Sequence, residues 1–568
     1  MLTMSLAVTS CLDFSPEAQM NDDTVWSSAD NFQLFANQFY SYTRDIQSGS
    51  TYQYGVSDGP HSDLRSDLCA GPNVNTYSQG TNTIPQSDGN YTALYKHIYY
   101  TNLLLKNAAS YKGNSSIAVP VAEAKFFRAY CYFELVQLYG NVILLTEPAD
   151  MDSPKMNAAR DDRSLVIDQC IADLKDAVEG LPETPSEAGR LCKDAARSFM
   201  SRVALYEGTW QKFHTGGADA TVNSDRVTSL LTTAKDAAKE VIDGKRYSLF
   251  NNEKLGTESY RYMFILEDAQ CNPAGLTTKD NTEYILARRH KSTAGVGLNI
   301  TKAYCTNAVY PTRKLANLYL CQDGLPIDKS PLFKGYDKAT SEFQNRDNRM
   351  LTTLAARGTQ LWDNTADHCR TAWDDTDLAR SKTVGATSNS GYQTHKWAVE
   401  RQVTDCYETM DFPVIRYAEV LLNYAEAANE LDASMSDATM FDCINAVRLR
   451  ANPDMPKLSK TFIETNALSL REEIRRERTV ELVFEGFRID DLKRWATAPV
   501  EMPVTQVGVK WKGTEFETLW ANQSRQIDSD GCIILYDNRQ WNDKLYLYPL
   551  PSDQLQLNPN LGQNPGWK

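Results

Sequence analysis

The chain holds 568 residues, 42% of them apolar and 23% charged, with a formal net charge of -14. That length can bury a large core, and the negative balance, offset by no local basic run, excludes nucleic acid as a partner because phosphate binding needs a basic footprint. No apolar run approaches the ~18 residues that span a bilayer, and 29 Tyr beside ten Trp supply amphipathic rings that suit ligand pockets as well as a core.

The first eleven residues, MLTMSLAVTSC, are apolar or small and end in Val8-Thr9-Ser10-Cys11. This resembles a bacterial lipobox, whose Cys thiol is lipidated and becomes the mature N-terminus. A signal of this kind begins with Lys or Arg, and none precedes Cys11, so residues 1–11 read as the tail of a signal peptide. The other reading of Cys11 is an ordinary buried thiol. A single acyl chain binds a membrane only marginally, so anchoring at Cys11 requires more than one. Residues 12–23 then form a tether. The remaining eleven cysteines contain no C-x-x-C pair, which gives no support for zinc, and their odd number leaves at least one unpaired in a monomer. Cys131 and Cys443 fall in helical patterns and read as small core residues.

Helices are predicted over 26–42 and 91–111, separated by a long polar segment rich in Gly, Ser, Asp and Tyr. The next, at 120–139, starts at Pro120, places Ala122, Phe126, Ala129, Phe133 and Val136 on one face and stops at Gly140. Helices over 161–181, 194–213 and 226–243 follow, punctuated by Pro182, Gly216, Gly217 and Gly244. Residues 248–412 read as a loop-rich insertion with short strands such as 283–289. Beyond it, 413–431 and 437–451 read as an antiparallel helix pair with Ala425 and Ala428 at the crossing. Paired helices suggest tetratricopeptide-like repeats, although no clean period of about 34 residues is present.

Residues 470–495, LREEIRRERTVELVFEGFRIDDLKRW, read as one helix with Val480, Val483, Phe484 and Phe487 on a face. Arg478, Glu481, Glu485 and Arg488 fall on a second stripe that carries no net charge. It is either a solvated ion-pair face or a stripe enclosed by protein, where charge is buried because it is paired. The last stretch, LYPLPSDQLQLNPNLGQNPGW, is extended and punctuated by Pro and Asn, with Leu547, Tyr548, Leu550, Leu555 and Trp567 available to wrap back over the scaffold.

The pattern ER-x-x-EL-x-FEG-x-R-x-DDLKRW resembles the signature of the SusD/RagB family, the surface nutrient-binding lipoproteins of Bacteroidetes. Further motifs stand in that family's order: PTRKLANLYLCQDGLPI (311–327), FQNRDNRMLTTL (343–354), DFPVIRYAEVLLNYAEAANEL (411–431), INAVRLRANPDMP (444–456) and the C-terminal stretch (547–567). The resemblance implies a mainly α, SusD-like fold of four tetratricopeptide-like helix pairs, the last returning after the insertion. It divides 24–568 into a helical part (24–247), a ligand-binding insertion (248–412), C-terminal helices (413–495) and a wrapping segment (496–568). It also implies a surface-exposed lipid anchor in the outer membrane and a SusC-like TonB-dependent transporter as partner.

Catalytic chemistry finds little support. No G-x-S-x-G elbow, H-E-x-x-H helix or phosphate loop is present, and Gly295-Val-Gly297 lacks a third glycine. A carboxylate pair for glycoside cleavage has no specificity among 73 acids. The expectation is therefore a binding protein without cofactor or metal. Carbohydrates offer C–H faces to aromatic rings and vicinal hydroxyls to planar polar groups. One such mixture is Tyr52, Tyr54, Asp58, Asp63, Arg65, Asp67 and Tyr77; a second, in the insertion, is Tyr260, Tyr262, Tyr304, Tyr310, Trp362 and Trp373. From these, Tyr52, Tyr54, Asp58, Arg65, Asp67, Tyr77, Tyr260, Tyr304, Tyr310 and Trp373 are the candidate ligand residues. Capture of an oligosaccharide or polysaccharide, capture of peptides or another nutrient as in RagB-like relatives, and a helical-repeat protein-interaction scaffold without small ligand stand as the functional readings.

Overall fold

The computed structural model describes residues 26–46, 59–150, 152–214, 224–291, 297–302, 309–356, 390–400, 406–519 and 524–568, with short stretches at 360–361, 370–371 and 521. Residues 1–25, which include Cys11 and the stretches expected to be signal and tether, lie outside it.

The N-terminal part is built from α1 (Ala29–Asn37), α2 (Gly89–Ser110), α3 (Ala118–Tyr139), α4 (Arg163–Gly180), α5 (Lys193–His214) and α6 (Asp225–Gly244). Local chemistry sets these ends. Asp88, Asp162 and Ser224 cap free backbone N–H groups at the starts of α2, α4 and α6, and Gly140, at φ 71°, ends α3. From α2 to α6 each helix packs on the next. The insertion then intervenes, and α7 (Tyr417–Leu431) returns to pack on α6, followed by α8 (Ala438–Ala451), which packs on α7. Helix α3 is buried almost all round, including Phe126, Tyr130, Cys131 and Phe133. This is the helical scaffold the sequence implies.

Two predicted helices begin or continue differently. Residues 413–416 belong to a strand: β1 (Tyr284–Arg288) and β2 (Phe412–Arg416) pair antiparallel, with Leu286 opposite Ile415 and Ala287 opposite Pro413. Val414 and Ile415 favour that extended backbone, and Pro413, lacking an N–H, is tolerated in a two-stranded edge. The helix predicted over 470–495 is broken into α9 (Leu470–Glu481) and α10 (Arg488–Arg494). Phe484 (φ 62°) and Gly486 (φ 80°) turn the chain between them. A Cβ on Gly486 would stand 3.2 Å from His61 O, so close approach as well as positive φ calls for glycine there. The predicted apolar and charged stripes are therefore distributed over two helices and a turn.

A hairpin of β3 (Gln506–Lys510) and β4 (Cys532–Tyr536) follows. The C-terminal segment then returns across the end of α3: Tyr548 N–H donates to Leu138 O (2.7 Å), and the Asn564 amide to Tyr139 O (3.0 Å) and Tyr548 O (2.7 Å). Trp567 Nε1 donates to Lys544 O and Leu547 O, and Arg160 donates to Leu561 O and Asn564 Oδ1. The nine described cysteines, Cys131 and Cys443 among them, are buried free thiols.

Candidate ligand-binding site

The side chains that organise the centre of the molecule are charged. Arg416, at the end of β2, donates to Glu481 (2.7 Å), Glu485 (2.7 Å) and Glu283 (2.7 Å). Arg450 on α8 joins Glu283 to Glu481, and Arg349 joins Asp347, Glu477 and Glu481. Lys396 donates to Glu485 and to Val483 O, both at 2.7 Å. All of these side chains are buried. Burial alone would push the Glu481 carboxyl up, but Arg450, Arg416 and Arg349 hold it far below the usual range. The enclosed, paired reading of the 470–495 charges is the one the fold adopts.

This network clamps the polar segment that precedes α2. Asp67 takes a two-pronged bond from Arg488 (2.8 and 2.7 Å), and Asp63 Oδ2 accepts from Phe484 N–H (2.6 Å). His61 lies between Asp490 (2.6 Å) and Glu134 (2.8 Å), with Arg44 bridging the same two carboxylates. Burial and Arg44 oppose a charge on His61, yet Asp490 and Glu134 outweigh them and raise its pKa. Asp63, whose second oxygen is buried without a partner, is pushed up to about 7 by burial, against the pull of the Phe484 amide.

The candidate ligand residues fall into three groups. Tyr52, Tyr54, Asp58, Tyr304 and Trp373, with Trp362, lie outside the described residues. Asp67, Tyr77, Tyr260 and Tyr310 are interior: Tyr260 donates to Glu481 O (2.7 Å), Tyr77 stacks on Tyr548 (5.2 Å), and Tyr310 pairs with Ala70. Tyr262 is also buried and donates to Glu400. With no face open, none of these rings offers a stacking platform to a ligand, and Asp67 is consumed by Arg488. Arg65 is partly exposed, 5.6 Å above both the Tyr77 and Tyr548 rings.

The two predicted regions nevertheless meet. Cys69–Ala70 pairs antiparallel with Tyr310–Pro311. Beside it is a cavity of about 30 Å³ bordered by Arg44, Asp45, His61, Asp63, Val309 and Phe412. It has room for about one water and none for a sugar ring. Sequence reasoning did not anticipate a larger groove of about 290 Å³ on α2, lined by Tyr91, Tyr95, Tyr99, Ile143, Met156 and Leu557. The Tyr95 hydroxyl donates to Ile143 O and accepts from Ile143 N, which leaves an apolar wall. Its rim is exposed at Tyr99 (41%), Met156 (45%) and Leu557 (74%), the kind of surface that marks contacts. Tyr at i, i+4 and i+8 was the signal, but Met156 and Leu557 reach the groove from distant chain.

Among the described residues no group of His, Cys, Asp and Glu could hold a metal ion, and no helix is long and apolar enough to cross a membrane. Comparison with known proteins adds what geometry does not. The chain is 24% identical to SusD-like protein P2 of Formosa agariphila over 507 residues, 87% of this chain and 83% of that one. It is 31% identical to SusD-like protein P25 of the same organism over 125 residues, only 21% of this chain and 23% of that relative. A crystal structure of a SusD-like carbohydrate binding protein from Bacteroides fragilis superposes with a TM-score of 0.72 at 22% identity, over 95% of this chain and 100% of that one. A profile described as starch-binding and associating with the outer membrane matches residues 12–205. The profile of the SusD family matches residues 244–567, and the chain belongs to the SusD/RagB family.

Proposed function

We propose that the chain is a surface nutrient-binding protein, held at the outer membrane by lipid on Cys11, which captures an oligosaccharide or polysaccharide and passes it to a SusC-like TonB-dependent transporter. The observation that carries this reading is the pairing of Cys69–Ala70 with Tyr310–Pro311, which joins the described ends of the two Tyr-rich regions on a helical frame. Tyr52, Tyr54 and Asp58 belong by chain connection to one end and Tyr304 to the other, and these residues, with Arg65 and Trp373, are assigned to the ligand. A structural relative described as carbohydrate binding and a matching profile described as starch-binding support a glycan over a peptide. A scaffold with no small ligand has the α2 groove in its favour.

The test is migration of the protein lacking residues 1–11 through native gels that contain single polysaccharides. Retardation by one glycan, weakened by Tyr52→Ala, Tyr54→Ala or Tyr304→Ala, is the expected result. Unimpeded migration through every gel would overturn glycan capture and leave the peptide and scaffold readings. Retardation undiminished in all three variants would remove these rings from the site.

A further inference from the structure

We infer that the molecule carries a second carbohydrate-binding cleft, whose described lining takes in Asp67 and Thr312 but none of the candidate rings, and which is suited to an uncharged polyhydroxylated chain; the inference rests on the glycan-capture reading above. The cleft, of about 480 Å³, opens between the short helix Arg313–Leu318 and the β3–β4 hairpin. That volume falls within the ~300–1,000 Å³ typical of small-ligand sites. Its chemistry comes from Arg313, Lys314, Glu501, Val507, Asp528 and Asp530.

Arg313 is fixed before any ligand arrives. Its guanidinium carbon lies 4.2 Å from the Tyr336 ring centroid, and one N–H points to Cys532 Sγ at 2.7 Å. The Tyr336 ring and the Cys532 thiol hold the fork, and among the described residues no carboxylate pairs with it. A planar fork with donors to spare fits two vicinal hydroxyl oxygens.

On another wall, Asp528 Oδ1 accepts from the Asp530 and Cys532 N–H groups at 3.0 and 2.8 Å, which orients its carboxylate. Neither Asp528 nor Asp530 pairs with a cation among the described residues. The other charges are spent within the protein: Lys314 on Glu501 (2.7 Å) and Asp67 on Arg488 (2.7 Å). Arg539 is spent on backbone oxygens of Ser66, Ser78 and Val504. An anionic ligand would meet Asp528 and Asp530, and a cationic one Arg313. A hydroxyl both donates and accepts, so it satisfies both walls, while Val504 and Val507 receive C–H surface.

The experiment starts from native gels containing soluble starch, β-glucan, mannan or xylan, and continues by titration calorimetry with short oligosaccharides of whichever polymer retards the wild-type protein. Two binding events per chain are expected, one of them persisting in Tyr304→Ala. That persisting event should vanish in Arg313→Ala and weaken about tenfold or more in Arg313→Lys, which keeps the charge and loses the fork. If Arg313→Ala melts early, Asp528→Asn, whose Oδ1 still accepts the two backbone bonds, is read in its place. A single event in the wild type, or two undiminished events in these variants, overturns the cleft. A wild type that no polymer retards overturns glycan capture and the cleft together, and is told apart by the first gel.

Discussion

Lys493 has no exposed surface, its Nζ has no hydrogen-bond partner, and it lies over the Tyr77 and Tyr548 rings at 5.2 and 4.9 Å. Burial pushes its pKa from 10.5 down to about 8, although Asp490 pulls the other way. Such a fall corresponds to a cost of about 3 kcal/mol at neutral pH, of which cation–π attraction returns about 1–2 kcal/mol. Because the folded value lies below the unfolded one, the cost is full below pH 8 and fades as pH rises from there toward 10.5. Lys493→Met should therefore gain about 1–2 kcal/mol at neutral pH and lose the alkaline gain in stability. Urea unfolding at neutral and alkaline pH measures both, and a less stable variant at neutral pH would refute the argument. Glu481 has the opposite sign. Its depressed carboxyl contributes stability that is present above the ordinary carboxylate range and lost as pH falls through it. Glu481→Gln leaves Arg349, Arg416 and Arg450 short of a counter-charge and should cost about 3–5 kcal/mol, read by the same titration.

At the scale of elements, the turn between α9 and α10 decides how the charges are used. Its backbone is satisfied by side chains from far along the chain: Asp63 takes Phe484 N–H, Lys396 takes Val483 O, and Trp397 Nε1 takes Phe484 O. Gly486→Ala meets both a left-handed backbone and His61 O, and should destabilise by about 1–3 kcal/mol, seen as a lower melting temperature. An unchanged melting temperature would mean that the turn can shift. Most helices were legible in the sequence because their ends are local events: Asp88, Asp162, Ser224 and Gly140 act within a turn of themselves. The break at Phe484 and the strand at Phe412–Arg416 were not, because they depend on His61 and Tyr284–Arg288, more than a hundred residues away. The same limit governs the site. A Tyr in a polar stretch does not reveal whether distant chain covers it, as Glu481 and Lys396 cover Tyr260 and as Tyr548 covers Tyr77.

For the whole molecule, the first and last parts of the chain close on each other. His61 meets Asp490, Asp67 meets Arg488, and the C-terminal segment lies over α3 through Tyr548, Asn564 and Trp567. Deleting residues 547–568 should therefore lower the melting temperature of the entire protein in one transition, and an unchanged melting curve would sink that expectation. Closure also has a consequence in time. A ribosome adding roughly 5–20 residues per second needs on the order of half a minute to two minutes for a chain of this length. Until Arg488, Asp490 and Tyr548 emerge, His61, Asp67 and the end of α3 lack their partners. Contacts this remote in sequence form slowly. The helices of the first half can pack as they emerge, each on its neighbour, but the contacts that lock His61 and Asp67 in place wait until nearly all of the chain has been made.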